Sequence, residues 1–231
     1  MRPSKWLTAL AFISLSLTVQ AQIIPPGSYV YKGGNGELNI QANGNFTIDT
    51  VGGNAHTCSI EGVIKSKRAR LPDSECVVTF TPEDNNIHVT NNEHESCRYS
   101  CGVRAGYTGL YIRPSPICTV KGMEVARKKF KQQYGKKEFS AAAQTLLPLL
   151  TDCATVLNRF SEWDVRNDLA LAQLRGGDAA ACLKTLQPLQ DLGQMSDENV
   201  RGIPEPTFVD IYLRIAHATR TNLKLCNAGL H

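Results

Sequence analysis

The sequence lacks the motifs that usually identify an enzyme. Among its 231 residues there is no GxSxG, HExxH or GxxxxGK pattern, no SxxK with a downstream KTG, and no dinucleotide-binding glycine pattern. Each of these motifs holds a nucleophile, a metal ligand or a phosphate-binding amide at a fixed spacing. The five histidines are dispersed along the chain. We therefore expect a protein that is not an enzyme and that uses no cofactor and no metal.

The sequence also lacks a large excess of charge of either sign. It contains 25 basic and 21 acidic residues. Removal of Arg2 and Lys5 with the predicted signal peptide described below leaves 23 basic residues against the same 21 acidic ones. A nucleic-acid-binding surface needs a clear basic excess, so nucleic acid is not expected as the main partner.

Long apolar runs are scarce as well. The one that stands out extends from Leu7 to Val19, follows Arg2 and Lys5, and ends before Ala21. A basic start, a short apolar centre and small residues at the end are typical of a secretory signal peptide, here residues 1–21. The run is too short for a span of roughly 20 residues, so stable membrane insertion is not expected. We predict an exported, periplasmic protein; for a eukaryotic secreted protein, Asn45 would be a glycosylation site.

Eight cysteines follow the predicted signal peptide. Their number is even, and the paired CxxC spacing of common zinc sites is absent, so disulfides are favoured over a metal site. The cysteines are Cys58, Cys76, Cys97, Cys101, Cys118, Cys153, Cys182 and Cys226.

The residues between 22 and 114 have the pattern of an antiparallel strand domain. Short alternating runs are separated by Gly33-Gly34-Asn35-Gly36, Asn43-Gly44 and similar turn residues, which tolerate positive φ. This predicts a β meander, closed as a small barrel or folded as a sandwich. The candidate strands are 28–31, 37–41, 45–50, 57–64, 76–81, 87–90 and 109–112.

The period changes after the prolines of Pro114-Ser115-Pro116, and residues 115–231 are predicted to be helical. The fold class is therefore α+β. Thr145-Leu146-Leu147-Pro148-Leu149-Leu150 also recurs 40 residues later as Thr185-Leu186-Gln187-Pro188-Leu189-Gln190. Each copy follows a small-residue turn and an earlier helical stretch, and a third helix over about 207–225 would cap the array.

The turn at Gly177-Asp178-Ala179, followed by Cys182, Leu186 and Leu189, resembles the tetratricopeptide-like helical-hairpin repeats. The resemblance covers about 100 residues and implies antiparallel helix pairs. In such a pair the start of the first helix lies beside the end of the second, so Cys118 is expected near Cys153. By the same logic Cys226 is expected near Cys182. For the four cysteines of the strand domain all three connectivities remain open, and Cys58 with Cys76 across one hairpin is one of them.

Two surface features are the candidate partner-binding sites. One is the basic stretch of the first helix, represented by Arg127, Lys128 and Lys131. The other is the segment 98–111, whose residue types often anchor interfaces and whose candidates are Arg98, Tyr99, Arg104 and Tyr107.

We expect a non-catalytic, protein-binding protein whose partner is another envelope or secreted protein. An inhibitor or immunity protein that blocks an envelope-attacking enzyme fits this compartment. The alternative is an envelope protein that binds a small ligand or glycan through the β domain, and a hydrolase with an unfamiliar site is the third class. Nothing in the sequence indicates the oligomeric state.

Overall fold

The computed structural model describes residues 24–230, so the predicted signal peptide lies outside the described residues. Within that part, eight antiparallel strands form one sheet in the order β4-β3-β2-β1-β8-β7-β6-β5, which curls into a nearly closed barrel. β1 pairs with β8, about 80 residues further along the chain, and this pairing joins the meander of the first four strands to that of the last four. The two edge strands, β4 and β5, approach each other where the barrel nearly closes. The strands are β1 Gly27–Tyr31, β2 Gly36–Ile40, β3 Asn45–Val51, β4 Thr57–Val63, β5 Arg68–Arg70, β6 Val77–Glu83, β7 Asn86–Asn91 and β8 Gly109–Ile112.

The barrel interior is filled by the inward side chains of these strands. In β3, Phe46, Ile48 and Thr50 are buried while the residues between them face outward, as the period of two requires. Phe46 meets Phe80 of β6 edge to face, with ring centroids 4.9 Å apart. Tyr29 and Tyr111 are also fully buried. This packing places large rings where a ligand cup would need open space.

Seven strands agree with the sequence prediction, and β5 is an addition. Arg68–Arg70 lies outside the candidate strands, because only Ala69 of its three residues is apolar. Ala69 points into the core and both arginines point outward, so the alternation is present but too short to recognise.

Seven α-helices follow in the described part of the chain, with short 3-10 turns before the first helix and at two of the junctions between helices. α2 packs on α1 and α3, α4 packs on α3, and α7 packs across α3, α4 and α5. The capping helix predicted over about 207–225 is present as α7. The helices are α1 Val120–Gly135, α2 Phe139–Thr151, α3 Arg159–Arg175, α4 Ala179–Leu186, α5 Gln190–Gln194, α6 Asp197–Arg201 and α7 Val209–Ala228.

The two helix pairs share local geometry at the offset of 40 residues. Thr145 donates a hydrogen bond to Gln133 over 2.7 Å, and Thr185 donates the equivalent bond to Gln173 over 2.8 Å. The turn of each pair contains one residue with positive φ, Lys137 in the first and Gly177 in the second. The sequence repeat therefore corresponds to a repeated α-hairpin.

Four disulfides brace the two halves. Cys118–Cys153 and Cys182–Cys226 confirm the pairs predicted from the hairpin geometry. In the barrel the pairs are Cys58–Cys101 and Cys76–Cys97, so Cys58 does not pair with Cys76. The long β7–β8 loop carries Cys97 and Cys101, which tie it to the start of β6 and to β4. Four disulfides indicate an oxidising, extracytoplasmic location.

The barrel and the helices meet at the β1–β2 turn. Val30 belongs to the same core cluster as Cys118 and Val156 of the helical half. The Gly33 amide donates to the Thr155 carbonyl over 2.8 Å. A Cβ on Gly34 would lie 2.4 Å from the Asn158 nitrogen, so only glycine allows this approach.

Candidate functional site

A cleft lies beside this contact, between the outer face of the barrel and the start of two helices. Its volume is about 740 Å³. Glu37, Asp49 and Val51 line the barrel side, and Phe160, Ile203, Phe208 and Tyr212 line the helical side. Val51 and Ile203 are each 48% exposed, which is high for residues of their size and polarity. A concave site with apolar walls and a few polar groups at a domain boundary is a typical binding site.

The helical wall is built on a cluster of four aromatic rings. Phe160 lies 5.3 Å from Phe208 and 5.8 Å from Tyr212, measured between ring centroids. Trp163 meets Tyr212 at 5.2 Å with nearly perpendicular planes. Phe160 also meets Tyr212 edge to face, while the planes of Phe160 and Phe208 are tilted by 45°. Aromatic contacts of this kind favour particular ring orientations. The exposed sides of Phe160 and Phe208 therefore form a rigid apolar surface.

Arg159 is fixed at the edge of this cluster. Its guanidinium donates to the Tyr212 hydroxyl over 3.0 Å and lies 5.8 Å from the centroid of the Trp163 ring. A cation placed over an aromatic face is attracted by the ring quadrupole. The arginine is thus held by the helical wall.

The barrel wall carries two carboxylates in direct opposition. Glu37 of β2 and Asp49 of β3 are cross-strand partners. The Ser59 hydroxyl donates to Asp49 over 2.6 Å, but among residues 24–230 neither carboxylate forms an ion pair. Like charges directly opposite on neighbouring strands are destabilising. This arrangement gives the wall a negative charge that a basic group from outside would neutralise.

The far end of the cleft is closed by an ion pair between the halves. Arg104 of the β7–β8 loop binds Glu205, which precedes α7. The loop is held against β3 and the β3–β4 turn, since the Thr50 hydroxyl donates to the Gly106 carbonyl over 2.8 Å and the Asn54 amide to the Val103 carbonyl over 2.9 Å. Arg104, a predicted site residue, therefore borders the cleft.

The other predicted residues of segment 98–111 do not form one patch. Tyr99 is 73% exposed and Arg98 is exposed beside it, both away from the cleft. Tyr107 is a correction, because it is only 2% exposed and lies in the barrel core. Its hydroxyl accepts a hydrogen bond from the Asn91 amide over 3.0 Å. The loop turns inward here, and burial raises the pKa of the Tyr107 hydroxyl.

The basic residues of α1 separate into two environments. Lys128 is exposed, whereas Arg127 donates to the Ser161 carbonyl at the start of α3 over 3.0 Å. Arg127 and Lys131 also act on the carboxyl group of Asp168. Part of the basic stretch therefore links helices within the fold.

Asp168 lies in a charged layer formed by α1, α3 and α7. Burial raises its pKa, and the nearby Asp164 carboxylate acts in the same direction, while Arg127, Lys131 and Arg214 oppose the shift. Arg214 forms a bidentate ion pair with Asp164, at 2.7 and 3.2 Å. Each basic residue of the layer thus faces a carboxylate.

The cleft residues were not predicted from sequence. Glu37, Asp49, Phe160, Phe208 and Tyr212 come from segments up to 175 positions apart, and no local motif joins them. The one available signal was Phe160 with Trp163, two large aromatic residues in the first turns of a mostly polar helix.

Comparisons with known proteins do not extend this description. No protein family, no curated protein and no solved structure matches the chain. Across residues 24–230, no helix is long and apolar enough to cross a membrane. The same residues contain no group of three or more His, Cys, Asp or Glu placed to hold a metal ion.

Proposed function

We propose that this chain is a non-catalytic periplasmic protein that binds another envelope or secreted protein in the cleft between its barrel and its helices. The observation that carries the proposal is that a half-buried aromatic wall faces a wall of two carboxylates, neither of which has an ion-pair partner in the described part of the chain. Anchors at protein interfaces are often aromatic side chains and arginines set in desolvated pockets.

The chemistry of the cleft defines the partner segment. The exposed faces of Phe160 and Phe208, with Val51 and Ile203, suit apolar side chains. Glu37 and Asp49 suit a lysine or arginine, because a charge-assisted hydrogen bond to a carboxylate is stronger than a neutral one. The partner therefore presents a basic residue next to apolar ones.

The more specific role that we propose is that of an inhibitor or immunity-type protein. Such a protein blocks an enzyme that attacks the envelope, and it must be rigid in an oxidising compartment. Four disulfides support a rigid fold, and Cys58–Cys101 and the close contact at Gly34 act at the borders of the cleft. A pre-organised site loses less conformational entropy on binding.

A glycan is the second candidate, favoured by one feature of the same cleft. Carboxylates and the amides of Asn35 and Asn158 can exchange hydrogen bonds with sugar hydroxyls. The filled barrel interior favours this outer cleft over a cup inside the strands.

The test is a pull-down with residues 22–231, disulfides intact, from envelope extract, followed by mass spectrometry. Ile203→Glu places a charged carboxylate on the apolar side of the cleft and is expected to abolish capture. Val63→Glu is the matched control, since Val63 is 44% exposed and does not line the cleft. Capture that survives Ile203→Glu contradicts the proposal. Retention of glycans alone, lost in Ile203→Glu, would support the second candidate.

A further inference from the structure

A second groove lies at the first end of the helical stack, between α1 and α2. Its volume is about 670 Å³, and it shares no lining residue with the cleft. Its surface is formed mainly by small and apolar residues, including Gly122, Val125, Ala126, Ala141, Thr145 and Pro148.

The internal repeat explains why this groove is open. In the second hairpin the positions of Gly122 and Ala126 are occupied by Glu162 and Arg166. Arg166 pairs with Glu162 over 2.8 Å and reaches the Thr185 carbonyl of α4 over 3.3 Å, so its side chain spans the equivalent groove. In the first hairpin a Cβ on Gly122 would lie 2.1 Å from the Pro116 carbonyl oxygen. The first hairpin therefore keeps an unfilled groove where the second has a side chain.

Comparing the two hairpins also shows which helix covers the corresponding face of α3. Val165 and Leu169 of α3 are buried in a core cluster with Ala142, Leu146 and Leu149 of α2. These three residues of α2 follow the i, i+4, i+7 spacing of one helical stripe. The equivalent positions in α1 are Val125 and Lys129, and Val125 is 59% exposed. The end of a stack of repeats normally has a polar outer face, so an exposed valine beside an apolar groove is unusual.

The charges around the groove determine which side chains a bound helix should carry on either side of its apolar stripe. Lys121 and Lys129 are among its lining residues, and none of those residues is acidic. We propose that a partner protein docks an amphipathic helix here, with an apolar stripe over Val125 and Ala126 and carboxylates beside the two lysines. The helix takes the place on α1 that α2 takes on α3. This site is independent of the proposed function of the cleft.

The probe is a display library of randomised 16-residue helical peptides, selected on the mature chain with its disulfides intact. Enriched peptides are expected to carry apolar residues at i, i+4 and i+7, with Asp or Glu on the flanks. Ala126→Arg fills the groove from inside, as Arg166 does in the second hairpin. Lys129→Glu reverses one flanking charge at an exposed position. Each variant is expected to weaken binding of the enriched peptides about tenfold.

Controls separate loss of the site from loss of the fold. Thermal melting followed by circular dichroism shows whether Ala126→Arg is folded. If Ala126→Arg does not fold, the test rests on Lys129→Glu. Lys184→Glu is the matched control, since Lys184 is an exposed lysine of α4 that does not line this groove. Enriched peptides that bind Ala126→Arg and Lys129→Glu as tightly as the wild type overturn the proposal. The proposal is also overturned if the selection enriches no acidic peptides and phosphatidylglycerol vesicles bind the wild type but not Lys129→Glu.

Discussion

Glu37 and Asp49 lie directly opposite each other on β2 and β3, and both line the cleft. Neighbouring cross-strand pairs on the inward face, such as Leu38 with Ile48, contribute to the core. The outward pair of carboxylates does not stabilise the sheet, because like charges directly opposite each other on neighbouring strands repel. The sheet thus carries an unfavourable pair at the place where we propose that a basic partner binds.

Glu37→Gln is therefore expected to stabilise the protein. Removing one of two opposed charges should raise the free energy of unfolding by about 0.2–1 kcal/mol at low salt. Salt screens the repulsion between exposed charges, so the gain should shrink as ionic strength rises. Urea denaturation at low and high salt measures both effects. Glu61→Gln is the control, because Glu61 lies opposite the neutral Thr47. A loss of stability in Glu37→Gln at low salt would contradict the account.

Asp168→Asn tests the charged layer of the helices. Burial raises the pKa of Asp168, so the folded state favours its neutral form more than the unfolded state does. The stability that protonation contributes is present below the unfolded pKa and is lost as pH rises through the folded pKa. The variant should therefore be the more stable protein at pH 7, and the difference should narrow below about pH 4.

Asp164→Asn is expected to change the free energy of unfolding in the opposite direction. It breaks the bidentate pair with Arg214 and should lower the free energy of unfolding at pH 7 by up to about 1 kcal/mol. Denaturation curves from pH 3 to 8 compare the two variants. An Asp168→Asn variant that is less stable than the wild type at pH 7 would show that Arg127, Lys131 and Arg214 outweigh burial.

The Cys58–Cys101 disulfide is expected to affect the cleft as well as global stability. It closes a sequence separation of 43 residues, and replacing both cysteines with alanine should cost about 3–4 kcal/mol. The bond holds the loop that places Arg104 beside Glu205. Amide hydrogen exchange should therefore increase at residues 102–106.

Removal of Cys182–Cys226 is the matched control, since it spans 44 residues at a distance from this loop. It should lower stability by a similar amount without a selective change in exchange at 102–106. Equal exchange in the two double variants would contradict a positioning role for Cys58–Cys101.

Much of the fold could be predicted because its signals are local. Alternation and turn residues identified seven strands, and the 40-residue offset identified the hairpins and two disulfides. The sequence does not distinguish a barrel from a sandwich, because the choice depends on two tertiary contacts: β1 pairs with β8 far along the chain, and the edge strands β4 and β5 approach each other. The sequence predicts Tyr107 as a surface candidate by residue type alone, because tyrosine and arginine often anchor interfaces. Its burial results from the inward turn of that loop toward Asn91.

The cleft could not be predicted for a related reason. The outward faces of β2 and β3 look like ordinary polar strand faces in the sequence, and only tertiary packing brings Phe160 and Tyr212 opposite them. Arg104 was recognised as a candidate by residue type, but its partner Glu205 lies 101 positions away.

The most direct test of the central claim is the dissociation constant of the captured partner for charge-reversed variants. We predict that Asp49→Lys raises it at least tenfold, because the substitution removes one carboxylate and pairs the other, that of Glu37, with a lysine, so the wall no longer attracts a basic partner residue. Lys128→Glu, on the exposed side of α1, should leave it unchanged. The reverse result, with full binding by Asp49→Lys and loss in Lys128→Glu, would contradict the cleft as the binding site and favour the basic helix.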